Sequence, residues 1–176
     1  MRKVLLLILL VPGLGLAQEV RKGNAWSPFS FFIGTWKGTG KGDPGISQLE
    51  RQYKFIFDGK YIEVKHKSVY APQEKNPKGE THEELGFFSY DRRGKQPVFR
   101  QFHTEGFVIQ YRLESITEDG KVMVFLSESI ENIPPGWKAR ETYRVLNEHE
   151  FAETFELAGP GKEFSLYSEN HFKRQK

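Results

Sequence analysis

Cysteine is absent from the 176-residue chain. This absence excludes disulfide bonds, thiol catalysis and metal sites built from cysteine and histidine, so an exported form of the protein depends on its hydrophobic core for stability. Neither charge sign prevails either. With Arg2 and Lys3 set aside, the rest of the 26 basic residues nearly balance the 23 acidic ones and are interspersed with them. A surface without a basic face argues against nucleic acid as a partner.

Long apolar runs are also missing, apart from Val4 to Val11 near the N-terminus. That run is too short to cross a bilayer as a stable helix. It follows a basic start and is followed by small residues that end in Gly15-Leu16-Ala17. This order predicts a cleavable secretory signal over residues 1–17, with an uncleaved membrane anchor as the alternative. We therefore expect a periplasmic or extracellular protein, free of the membrane after cleavage, with one domain over residues 18–176.

Helical periodicity is missing as well, except for a turn or two around Pro28 to Phe32. Alternating patterns separated by turn residues such as Asp58-Gly59 and Asp119-Gly120 predict strands instead. They lie at about 34–42, 52–57, 61–68, 85–90, 97–103, 107–116, 122–130, 137–146, 150–157 and 163–173. The sequence thus predicts an all-β fold, an antiparallel up-and-down barrel of about ten strands after a short helical turn, since closure removes the exposed edges. A two-sheet sandwich is the alternative. The segment from Ala71 to Thr81 is either a flap over the barrel mouth or a plain connection.

Hairpin register predicts which side chains face the interior. If Asp58-Gly59 is a two-residue turn, Arg51 lies opposite His66, and cross-strand partners share a face. The same reasoning along the chain predicts interior, ligand-binding residues, and a motif described below adds Trp36 to them. The full set is Trp36, Arg51, Tyr53, Phe55, His66, Arg100, Phe102, Tyr111, Glu128, Glu141, Tyr143 and Phe155. Trp36 is expected to plug the closed end.

This predicted lining mixes large apolar side chains with charged ones. Unpaired buried charges are costly, so the interior holds either a cavity with a ligand or a network of Arg–Glu pairs that satisfy one another. The first possibility predicts a binding protein for a small hydrophobic or amphipathic molecule, with Arg51 or Arg100 available for an acidic group. The second predicts a filled barrel with a structural or interaction role. No residue is predicted to be catalytic, and the five histidines show no spacing typical of a metal site.

Two motifs carry a resemblance to a known family. The segment Phe32 to Gly40 resembles the G-x-W-x-G-x-G signature of the nitrobindins, haem-binding β-barrels of the calycin superfamily that are related to lipocalins and fatty-acid-binding proteins. The segment His82 to Phe87 resembles the H-x-E-x-G-F motif of the same family. The resemblance implies a lipocalin-like barrel, haem as a cofactor, and an alternative function on reactive nitrogen or oxygen species. If the chain is an enzyme, the resemblance implies a peroxynitrite isomerase.

Nitrobindins ligate ferric haem through a histidine on the last strand. In this sequence Tyr167 or Ser168 stands near that place, and His171 is displaced from it. The resemblance therefore implies His171 or Tyr167 as the haem ligand, since tyrosine also binds ferric haem. Strand alternation predicts both side chains on the outer face.

Overall fold

Residues 26–176, which the computed structural model describes, form a short 3-10 helix, Ser27–Phe32, followed by ten antiparallel strands. The predicted signal over residues 1–17 lies outside this range. The described residues include no helix that is long and apolar enough to cross a membrane. The strands are β1 (Gly34–Gly42), β2 (Gly45–Ile56), β3 (Tyr61–Tyr70), β4 (Glu80–Asp91), β5 (Gln96–His103), β6 (Val108–Ile116), β7 (Val122–Glu131), β8 (Lys138–Asn147), β9 (Glu150–Ala158) and β10 (Ser165–Arg174).

Every strand pairs with its neighbours in sequence, and β1 pairs with β10 to close the sheet. The predicted barrel is confirmed, and closure excludes the sandwich. The Asp58-Gly59 hairpin has the predicted register, since Arg51 lies opposite His66 and Tyr53 opposite Val64. Closure leaves no free sheet edge among the described strands, which removes the usual template for aggregation.

Aromatic side chains fill one end of the barrel. Phe29 and Phe32 of the 3-10 helix insert into it, where Phe29 packs on Phe88 and Phe32 on Phe151. Trp36 is fully buried beside them, as predicted for a plug, and its indole N–H donates to the Phe32 carbonyl oxygen over 2.7 Å. The helix therefore acts as a stopper that closes this end, and the apolar area buried there stabilises the fold.

The first strand passes very close to the last one. A Cβ atom added at Gly38 would lie 1.9 Å from the carbonyl oxygen of His171 on β10. No side chain fits at that distance, so the glycine lets the two strands approach and the barrel close. The glycines of the predicted signature thus have a structural reason in the fold itself.

Arg100 and Phe102 do not face the interior, which corrects the sequence prediction. An even-numbered β5–β6 loop was expected, but the loop has three residues, Thr104 to Gly106, and Gly106 has a φ of 90°. The odd length moves the register by one residue and turns every β5 side chain to the opposite face. Phe102 is consequently 44% exposed.

Glu128 is also on the outer surface, contrary to prediction. Near the β6–β7 turn the register is as expected. Farther from the turn, the pairing of the two strands shifts by one residue between Leu113 and Ser115 and again between Gln110 and Tyr111. Such β-bulges reverse the faces beyond them. Tyr111 still points inward and is fully buried, whereas Glu128 binds Arg112 on the outside.

A further slip in β10 changes the last strand. The register shifts between Leu166 and Ser168, so Tyr167 sits in a bulge. Its ring packs edge-on against the inward-facing Phe155, with centroids 5.7 Å apart, while Leu166 is 54% exposed. The predicted outer position of Tyr167 is therefore wrong, and that of His171 is correct, since its side chain is 42% exposed and paired with Glu150.

Candidate functional site

The end of the barrel opposite the stopper is hollow. A cavity of about 580 Å³ opens there between the β1–β2, β5–β6 and β7–β8 turns. This volume lies within the range of small-molecule sites. The apolar side chains of its lining include Phe107, Ile109, Ile130, Ile133, Trp137, Phe155 and Leu157. The polar ones include Arg51, His66, Ser68, His82, Glu84, His103, Glu105, Glu141, Glu153 and Asn170.

The predicted binding residues divide between the two halves of the barrel. Arg51, His66, Glu141 and Phe155 line the cavity. The remaining inward-facing members of the set lie in or against the filled aromatic end: Trp36, Tyr53, Phe55, Tyr111 and Tyr143. The barrel therefore encloses a cavity and also holds a buried Arg–Glu pair, since Arg51 in the lining is paired with Glu153.

The β3–β4 connection lies beside the mouth. None of residues 71–79 is among those that line the cavity. Instead the side-chain amide of Gln73 binds both the backbone N–H and the carbonyl of Ile46, over 2.7 and 2.8 Å. Of the two predictions for this loop, the structure favours a connection tied to the β1–β2 hairpin.

Arg51 forms the floor of the cavity. Its Nη1 lies 2.7 Å from Glu153 Oε2, and both side chains are 3% exposed. Burial opposes the charge on Arg51, but Glu153 together with Tyr53, Tyr143 and Glu84 outweighs burial and holds the pKa of the guanidinium well above its ordinary value. The guanidinium also lies over the Phe172 ring, 4.6 Å from its centroid. Arg51 is thus a buried, paired cation.

His66 continues this network as a neutral imidazole. Arg51 Nε donates to His66 Nδ1 over 3.0 Å, and His66 Nε2 lies 2.8 Å from Ser68 Oγ. Because Nδ1 accepts, the ring proton belongs on Nε2. Burial, and then the charge of Arg51, lower the pKa of His66 from 6.5 to about 3.

Glu141 is a second buried carboxyl group with a different charge state. Burial, and then the negative charge of Glu153, raise the pKa of Glu141 from 4.5 to about 8. Its Oε2 accepts a hydrogen bond from the Tyr143 hydroxyl over 2.5 Å. At neutral pH Glu141 is therefore mainly protonated.

Two more histidines and two glutamates meet on the β4–β5 side of the cavity. His82 Nε2 lies 2.9 Å from Glu84 Oε1, and His82 Nδ1 lies 2.6 Å from Glu105 Oε1. Burial lowers the pKa of His82, but the bonds to Glu84 and Glu105 outweigh it and raise the pKa to about 9. The side chain of the neighbouring His103 is 6% exposed.

Sequence reasoning did not find this group. His66 was predicted to face the interior, but His82 and His103, which also line the cavity, were not. A signal was present: His82 and Glu84 are two residues apart on a strand and so share a face. Linking them to His103 required the β5 register, which the three-residue loop obscured.

The haem ligation implied by the family resemblance does not fit the last strand. His171 lies on the outer face and pairs with Glu150, 3.6 Å away. The inward-facing positions of β10 that line the cavity are Ser168 and Asn170, neither of which carries an imidazole. Tyr167 reaches the cavity, but its ring rests against Phe155. No role is therefore derived through haem.

No protein-family model matches the chain, and no curated protein matches it. Among solved structures it is similar to Rv2717c from M. tuberculosis, with a TM-score of 0.64 and 18% identity over 86% of this chain and 98% of that one. A de novo designed fluorescence-activating β-barrel aligns with a TM-score of 0.43 and 14% identity over 82% and 94% of the two chains. The barrel EF1p2_mFAP2b bound to DFHBI aligns with a TM-score of 0.43 and 12% identity over 86% and 100%. The likeness to Rv2717c shows the fold alone, a closed antiparallel β-barrel.

Proposed function

We propose that the protein binds one small amphipathic molecule in the open half of its barrel. The observation that carries this proposal is the division of the interior, with packed aromatic residues at one end and a cavity of about 580 Å³ at the other. The cavity is lined by apolar side chains, which include Ile109, Ile130 and Phe155, and by polar groups among them. Sites of this kind take up the apolar part of a ligand by burial and orient its polar part by a few hydrogen bonds.

The polar side chains that line the cavity favour a neutral or cationic head group on that molecule. The sequence prediction of an acidic group depended on Arg51 or Arg100. Arg100 lies on the outer surface, and the Arg51 charge is already paired with Glu153. Five glutamates line the cavity, of which Glu141 is mainly protonated at neutral pH. The two cations of the lining, Arg51 and His82, are both already paired with glutamates. A carboxylate ligand would thus be desolvated beside like charges without a free partner.

Competition with a fluorescent probe tests this function. The probe is N-phenyl-1-naphthylamine, a neutral apolar dye, and the competitors are decylammonium, decanol and decanoate at pH 7. We expect one dye site per chain, with decylammonium and decanol displacing the dye at concentrations at least about tenfold lower than decanoate, a difference of roughly 1.4 kcal/mol. Displacement by decanoate at the lowest concentration would contradict the proposed head group.

A matched pair of variants locates the binding. Ser168 faces the cavity from β10, whereas Ser165, on the same strand, is exposed and does not line it. Ser168→Trp is expected to occupy the space and abolish dye binding, and Ser165→Trp is expected to leave it unchanged. Equal binding by both variants would show that the dye binds outside the barrel and would refute the proposal.

We also propose that this binding takes place outside the cytoplasm. The proposal depends on the basic, apolar and small-residue segments of residues 1–17, as set out for the sequence. Mass spectrometry of the protein from its own host should find a mature chain that begins at Gln18. An N-terminus at Met1 would favour the membrane-anchor alternative.

A further inference from the structure

His82, Glu84 and His103 form a compact cluster on the cavity wall, hereafter the His–Glu cluster. Alternation along β4 places His82 and Glu84 on the same inward face. The β4–β5 register then sets His103 directly opposite Glu84. Two neighbouring strands thus bring together two imidazoles and one carboxylate, and all three side chains line the cavity.

The donor atoms of the cluster are close enough to share one ion. Glu84 Oε1 lies 2.9 Å from His82 Nε2 and 3.8 Å from His103 Nδ1. One ligand atom from each residue lies within 4.8 Å of the other two. Two ligands on a tetrahedral zinc ion, each at about 2.1 Å, are about 3.4 Å apart. Small side-chain rotations therefore suffice to close the site.

His103 supplies an independent indication of a missing partner. Its side chain is 6% exposed, yet neither ring nitrogen has a hydrogen-bond partner among the described residues. The ring is stacked on Phe107, with centroids 4.1 Å apart, which holds it against the cavity. A buried polar group without a partner is costly and rare in proteins. Coordination of an ion would satisfy it.

The residues that hydrogen-bond to the cluster hold its side chains in the way that is usual for metal ligands. Glu105 Oε1 lies 2.6 Å from His82 Nδ1, which leaves His82 Nε2 directed at Glu84. Gln101 Nε2 donates to Glu84 Oε2 over 3.3 Å and leaves Glu84 Oε1 between the two imidazoles. Metal-binding histidines usually donate their second ring N–H to a carboxylate, and ligating carboxylates are themselves hydrogen-bonded.

His66 is not part of this set, although it is near. Both of its ring nitrogens are used, one by Arg51 and the other by Ser68. The ligand set is therefore two histidines and one glutamate, a combination that binds zinc and leaves a fourth position open in catalytic sites.

We infer that the His–Glu cluster binds one divalent transition-metal ion, with Zn²⁺ as the representative ion, and that its open coordination position faces the cavity. This inference goes beyond the proposed binding of an amphipathic molecule and does not depend on it. The ion is held by His82 Nε2, Glu84 Oε1 and a ring nitrogen of His103.

Titration of the tag-free protein with Zn²⁺ alone, against a chromophoric chelator, tests the inference. We expect one ion per chain with a dissociation constant in the micromolar range or below. His103→Ala and the nearly isosteric Glu84→Gln should each weaken binding at least about tenfold, and Glu105→Gln by about 10- to 100-fold. His149→Ala removes an exposed histidine outside the cluster and should leave the affinity unchanged.

Spectroscopy with Co²⁺ keeps the test decisive if a variant is less stable. The wild-type protein should give visible absorption bands of a four- or five-coordinate ion, and a folded Glu84→Gln variant should need at least about tenfold more Co²⁺ to give them. A dissociation constant above 100 μM for wild type, or equal affinity in His103→Ala and His149→Ala, would overturn the inference. The cluster would then be a hydrogen-bonded His–Glu group only.

Discussion

Replacing Arg51 by methionine is expected to lower the free energy of unfolding by about 3–5 kcal/mol, because it leaves the Glu153 carboxylate buried without its partner. The two side chains are each 3% exposed and 2.7 Å apart. Arg51 also orients His66 through a hydrogen bond, so a second buried group loses its donor. Urea unfolding of the variant and the wild type measures the difference.

Two controls separate this effect from the loss of any arginine. The double variant Arg51→Met/Glu153→Leu removes both charges and should regain most of the lost stability. Arg112→Met breaks ion pairs with Asp91 and Glu128 on the outer surface, where solvent screening leaves such pairs little effect on stability. If Arg112→Met costs as much as Arg51→Met, the buried network does not have the importance given to it.

Glu141→Gln is expected to stabilise the protein at high pH. In the folded protein the pKa of Glu141 is raised from 4.5 to about 8, first by burial and then by Glu153. The folded state therefore holds a proton that the unfolded state releases between these two pH values. The wild type loses stability as the pH rises from 4.5 to 8, by up to a few kcal/mol, and none of this loss occurs in the glutamine variant.

Unfolding at about pH 4.5 and about pH 8.5 measures this effect. The variant should match the wild type at the lower pH and exceed it at the higher one, since the glutamine oxygen can still accept the Tyr143 hydroxyl hydrogen bond. Glu84, Glu153, Arg51 and Tyr143 all act on the same carboxyl group and are unchanged in the comparison. Glu128→Gln, on the exposed outer face, should show no such gain at the higher pH. A stability difference for Glu141→Gln that is independent of pH would contradict the account.

Sequence patterns predicted the barrel because its determinants are local. Alternation and the Asp58-Gly59 turn were sufficient to place Arg51 opposite His66, and the structure confirms that register. A two-residue hairpin fixes which residues of its two strands are paired, and paired residues share a face of the sheet. The helical turn before the first strand was also predicted, but its insertion as a stopper depends on contacts with distant strands.

The prediction of which side chains face the interior was wrong where a loop or strand has one residue more or fewer than the regular pattern. The three-residue loop after His103 placed Arg100 and Phe102 outside, and the β6–β7 bulges placed Glu128 outside. A single inserted residue reverses a whole strand while leaving its alternation intact, so periodicity alone does not detect it. The same error concealed His103 and, with it, the His–Glu cluster. Which residues form the site depends on the pairing register of several strands, whereas the strands themselves follow from local sequence patterns.

A crystal structure of the protein with 1-bromodecane tests the central claim, a barrel filled at one end and open at the other. The bromine atom gives anomalous signal and identifies the bound chain directly. The account predicts bromine density inside the barrel, between Ile109, Ile130 and Phe155 and above the Arg51–Glu153 pair. Density confined to the outer surface, with side chains closing the interior at both ends, would contradict it.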